Sequence, residues 1–160
     1  MWTSDETVFW GLTYKNWGTI IFGAIYALIF GFFLRYKLLD KDSKKEYTYL
    51  IFQAVTLILF SLFLFVTRAH ERHLLPSIVF FTLIIFRSWI FPYLYAIVSG
   101  VYVCNMIYSY IQLTTEYTGV PDSIENILVS AMFVLYFGAF VIVLLNFFRH
   151  TLREESTLKT

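Results

Sequence analysis

Three apolar runs, each about as long as a membrane is thick, most constrain the fold of this chain. A helix needs about 20 mainly apolar residues to cross roughly 30 Å of hydrocarbon. Runs of that length, bounded by charged residues, cover positions 17–36, 47–66 and 124–148. A soluble domain would need roughly a quarter of its residues charged, whereas here 59% are hydrophobic and only 14% are charged. The sequence therefore predicts an integral membrane protein.

Two further apolar segments follow the second run. Residues 89–113 are long enough to span, but residues 74–86 number only thirteen, and Arg87 separates the two. The short segment is compatible with a half-length buried helix. It is equally compatible with a full crossing in which Arg72 and Arg87 extend their charged ends to the membrane surface.

Charge placement favours the crossing. Cytoplasmic loops carry the excess of Lys and Arg close to the ends of the spans. The loop after the first run contains Lys37, Lys41, Lys44 and Lys45, with Arg35 just before it, which places the loop inside and the amino terminus outside. If 74–86 crosses, Arg87 and the basic tail also fall inside, and loop 114–123, which has no Lys or Arg, falls outside. We expect an all-α polytopic transmembrane helical bundle of about five spans, one of them short, with a cytoplasmic carboxy terminus.

The chain reads as one transmembrane region over residues 1–160 with two flanking parts. Residues 1–16 form an outer interfacial segment, and residues 149–160 form a cytoplasmic tail. One connection departs from the charge rule, because the turn after Val66 places Arg68 and Arg72 outside.

That polar turn contains the candidate functional residues of the sequence. Arg68, His70, Glu71, Arg72 and His73 lie within six residues at the end of a span, where unpaired charge is costly. In a helical turn Arg68 and Arg72 would share a face, and two guanidinium groups on one side suit a phosphate. The alternative interpretation is that the arginines are interfacial anchors on lipid headgroups and the histidines are solvated.

Metal and cofactor sites are not expected. The zinc protease pattern requires a second histidine four residues after the first, whereas His73 follows His70 by three. Cys104 is the only cysteine, so neither an internal disulfide nor a thiolate cluster can form. A net charge of +1 excludes the global basic field that nucleic acid attracts. Acidic residues near the outer face, Glu125 among them, could act as acids or bases or be plain solvated loop charge.

The segment from Thr67 to Pro76, Thr-Arg-Ala-His-Glu-Arg-His-Leu-Leu-Pro, resembles the His-Glu-Arg segment of GT-C type membrane glycosyltransferases. It is most similar to prokaryotic mannosyltransferase-like proteins related to the GPI mannosyltransferases. Residues 9–18, Phe-Trp-Gly-Leu-Thr-Tyr-Lys-Asn-Trp-Gly, are similar to the segment before a late transmembrane helix of that family. The order and spacing of the two stretches also agree.

The resemblance implies transfer of a sugar, mannose in the related enzymes, from a polyprenyl-phosphate donor to an extracytoplasmic acceptor, in the plasma membrane of a prokaryote. Arg68, His70, Glu71 and Arg72 would bind the donor phosphate or order the loop around it, with His73 in support. Such enzymes are several times longer and carry their catalytic acid in an amino-terminal half. We therefore expect this chain to be a carboxy-terminal portion, a fragment or one piece of a split enzyme, which needs the missing half or a partner chain for catalysis. The alternative is a small non-catalytic accessory or scaffold protein of the membrane.

Overall fold

In a computed structural model the chain forms a helical bundle, described over residues 8–39, 44–66, 71–115 and 121–157. A two-stranded hairpin, β1 (Val8–Phe9) and β2 (Leu12–Thr13), precedes the long helices α1 (Tyr14–Leu39) and α2 (Lys44–Phe65). A 3-10 turn (Glu71–Leu74), the short helix α3 (Leu75–Thr82) and a second 3-10 turn (Ile85–Arg87) lead to α4 (Phe91–Thr114) and α5 (Asp122–Thr157).

Four helices in the described ranges are long and apolar enough to cross a membrane. Their apolar stretches are Tyr14–Arg35, Tyr47–Phe65, Phe91–Thr114 and Ser123–Arg149. These bounds agree with the predicted runs to within three residues at every end. The predicted all-α polytopic bundle is confirmed, and the fold is that of an integral membrane protein.

The ambiguous segment is a half-length helix that nevertheless runs along α2. With eight residues, α3 is about 12 Å long and cannot cross by itself. Its last turn tightens into 3-10 bonds, Leu83 N–H to Phe80 O and Ile84 N–H to Phe81 O, both 3.1 Å, which end the helix.

Two contacts with α2 show where the segment from α3 to Arg87 lies. The Ser77 hydroxyl donates to the carbonyl of Thr56 at 3.1 Å, and the Arg87 guanidinium lies 5.7 Å from the centre of the Tyr49 ring. The chain has thus returned to the first turns of α2 by Arg87. Residues 75–87 therefore run back along α2 as α3, a turn and a 3-10 segment, and the described residues contain no fifth helix long enough to span.

Ring contacts fix the order of the remaining helices. Phe33 stacks near Tyr47 at 5.4 Å, and Phe32 lies 4.7 Å from Phe148, so the end of α1 meets the start of α2 and the end of α5's apolar stretch. Arg35, Arg87 and Arg149 consequently lie at one end of the bundle, which we call the arginine end. The opposite end, the turn end, carries the hairpin, the first 3-10 turn, the end of α4 and the start of α5.

The core is centred on α2. In its apolar stretch 39% of residues are buried, against 11% in that of α1. Phe60 is fully buried and meets Tyr136 and Phe140 of α5 edge-to-face at 6.2 and 5.8 Å, the geometry that the charge distribution of aromatic rings favours. The last turns of α2, where the polar turn begins, are therefore held firmly by α5.

Candidate functional site at the turn end

The polar turn is described only in part. Arg68 and His70 lie outside the described residues, and for Glu71 and Arg72 the backbone alone is described, as the start of a 3-10 turn. His73 is exposed. The expected shared face of Arg68 and Arg72 therefore stays a prediction.

Both flanks of the turn are anchored in the bundle. On the amino-terminal side, Val66 N–H bonds to Leu62 O at 3.0 Å and completes the last turn of α2. On the carboxy-terminal side Leu74 is fully buried and Ser77, 2% exposed, bonds to α2. Pro76 lies in the first turn of α3, where its missing N–H costs little. The two residues that flank the turn, Val66 and Leu74, are thereby fixed at the turn end of the bundle.

A second polar cluster at this end was not predicted. Gln112 of α4 donates its Nε2 hydrogen to the Tyr108 hydroxyl at 2.8 Å, and that hydroxyl donates to the Glu125 carboxylate of α5. Gln112 is 6% exposed, and its Oε1 has no hydrogen-bond partner in the described part of the chain. The cluster links α4 to α5 and leaves one buried acceptor, an arrangement that costs free energy unless a donor meets it.

A weak sequence signal for this cluster exists. Tyr108 and Gln112 are four residues apart, so they share one face of a helix, and a glutamine inside an apolar span commonly finds a polar partner. The partner itself, Glu125, lies across a connection on another helix, which no local pattern specifies.

One further buried polar side chain joins two helices. Gln53 of α2 is 2% exposed and donates to the carbonyl of Val143 at 3.2 Å and to Asn146 Oδ1 at 3.3 Å. Across residues 8–39, 44–66, 71–115 and 121–157, no three His, Cys, Asp or Glu side chains group closely enough to hold a metal ion.

Comparison with known proteins gives no match: no family model, no curated protein and no solved structure matches this chain. Its function is therefore inferred from its own residues and their positions.

Proposed function

We propose that this chain is a membrane region of a lipid-linked-sugar glycosyltransferase and that its polar turn binds the phosphate of a polyprenyl-phosphate donor. The donor would lie in the bilayer with its phosphate at the membrane surface. The sugar, mannose by resemblance, would pass to an acceptor on the extracytoplasmic side. Donor binding, and not the catalytic acid, is the role assigned to these residues.

The chemistry follows from the residue types in the turn. Arg68 and Arg72 present planar guanidinium groups that bind phosphate oxygens in pairs. They would also stabilise the negative charge that develops on the phosphate as the sugar leaves. His70 adds a hydrogen bond, and Glu71 orients one of the arginines.

The location of the turn is the observation that carries the proposal. It follows the last turn of α2, at the end of the bundle opposite Arg35, Arg87 and Arg149. Arginines near span ends are retained on the cytoplasmic side. If those three obey the rule, the turn faces outside, where its own two arginines are exceptions that call for a function.

A binding measurement tests the proposal without requiring turnover. The chain is placed in nanodiscs of neutral phosphatidylcholine and titrated with a polyprenyl-phosphate mannose. The double variant Arg68→Lys, Arg72→Lys keeps both charges but loses the paired hydrogen bonds. Since a charge-assisted hydrogen bond contributes about 1.5–3 kcal/mol, we expect binding at least about tenfold weaker.

Arg87→Lys provides the matched control, because it makes the same change at the arginine end, outside any proposed phosphate site, and it should leave donor affinity unchanged. Equal donor affinity in the wild-type chain and the double variant would contradict the proposal. That result would favour the accessory or scaffold protein, in which the arginines act only as headgroup anchors.

A further inference from the structure

A groove on α1 has no role in the proposed donor site. Its volume is about 290 Å³, and it is lined by Ala27, Leu28, Gly31, Phe32 and Arg35. Four of these five residues have an apolar side chain or none. The fifth, Arg35, lies at the end of the groove nearest the arginine end of the bundle. The groove lies within the predicted span, so its opening meets lipid chains and not water.

Helical spacing explains its shape. Ala27, Gly31 and Arg35 are four residues apart and form one row, and Leu28 and Phe32 form the neighbouring row. Because the side chains of the first row are small before Arg35, this row forms the floor of the groove. The larger side chains of the second row form one of its walls. A methyl group built on Gly31 would meet no other part of the described chain within 4 Å. The row is about 12 Å long from Ala27 to Arg35.

The charge at the end of the row identifies the occupant. Arg35 is the last residue of the apolar stretch Tyr14–Arg35, which is the depth of lipid headgroups. Phe32 contacts Phe148 at 4.7 Å between ring centres, so the exposed Arg149 of α5 belongs to the same region. An apolar channel that ends in guanidinium groups at headgroup depth is complementary to a lipid with a phosphate head.

We propose that this groove binds one anionic phospholipid, with an acyl chain along Ala27 and Gly31 and its phosphate on Arg35. A second copy of this chain fits the same face less well. Two copies related by a twofold axis along the membrane normal would bring their Arg35 residues together, and like charges repel. The lipid site is at the opposite end of the bundle from the polar turn and does not depend on the proposed function.

Native mass spectrometry of the detergent-purified chain tests the site. Phosphatidylglycerol and phosphatidylcholine of matched acyl chains are the probes, and inorganic phosphate is a third. The wild-type chain should retain phosphatidylglycerol in preference to phosphatidylcholine, and inorganic phosphate should not displace it. Gly31→Leu fills the floor and should lower phosphatidylglycerol retention at least about tenfold. Arg35→Gln should abolish the preference between the two lipids.

Gly100→Leu is the matched control. Gly100 lies exposed on α4, outside the groove lining, and has equally open surroundings. Leucine favours helix over glycine, so both variants should keep the helical content of the wild type. If Gly31→Leu still fails to fold, Arg35→Gln alone decides the proposal.

Three results would overturn the site. The first is unchanged phosphatidylglycerol retention in Gly31→Leu or an unchanged preference in Arg35→Gln. The second is displacement of the lipid by inorganic phosphate, which would show that the site recognises the phosphate charge alone and not the acyl chain. The third is loss of a dimer in Gly31→Leu with lipid retention intact, which would assign the face to a second copy.

Discussion

Gln53 joins α2 to α5 inside the predicted hydrocarbon layer, and its removal should weaken the bundle by a measurable amount. Its Nε2 donates to Val143 O and to Asn146 Oδ1, at 3.2 and 3.3 Å. Gln53→Met retains the length of the side chain and removes both donors. Hydrogen bonds between membrane helices contribute about 0.6 kcal/mol each on average. Two such bonds predict a loss of about 1.2 kcal/mol, or about sevenfold in the unfolding equilibrium.

The assay is reversible unfolding in mixed micelles with increasing dodecyl sulfate, followed by circular dichroism. A double-mutant cycle with Asn146→Leu isolates the side-chain pair, and we expect a coupling free energy of about 0.6 kcal/mol. Gln112→Met is the matched control, since its Nε2 bond stays within α4 and its cycle with Asn146→Leu should show no coupling. A Gln53–Asn146 coupling equal to that control would refute the packing described for α2 and α5.

Two further changes test the core and the hairpin. Phe60→Ala removes a fully buried ring that meets Tyr136 and Phe140, and the same unfolding assay should show a loss of about 3–5 kcal/mol; a loss like that of an exposed residue would contradict its position in the core. Trp10 has φ +51° in the two-residue turn of the hairpin, so Trp10→Asn, which suits a type I′ turn before Gly11, should slow amide hydrogen exchange in β1 and β2. Faster exchange would show that the Trp10 ring matters more than the backbone conformation.

The spans were predictable because each depends on a local property, the length of an apolar run between charges. The short segment was not, because thirteen apolar residues are compatible with one helix or with several pieces. Nothing in the sequence marks the break at Leu83 and Ile84, since neither glycine nor proline occurs there. Its course along α2 depends on contacts such as Ser77 with Thr56, which are tertiary.

The candidate site also has one part that the sequence predicts and one part that depends on how the helices pack. The charges of the polar turn are adjacent in the sequence, so their cluster is visible without a structure. The hydrogen bond from Tyr108 to Glu125 is not, because it depends on how α4 docks against α5. Buried glutamines signal a polar partner, but neither Gln53 nor Gln112 indicates in its neighbouring sequence which helix supplies that partner.

The proposed function requires the polar turn to face the outside and the arginine end to face the cytoplasm. Cys104, which is exposed on α4, is first replaced by alanine, and single cysteines are then introduced at Ala69, Thr118 and Ser43. Intact cells are treated with a membrane-impermeant maleimide. We expect labelling at Ala69 and Thr118, and labelling at Ser43 only after the membrane is permeabilised. Labelling of Ser43 in intact cells with Ala69 protected would contradict this orientation.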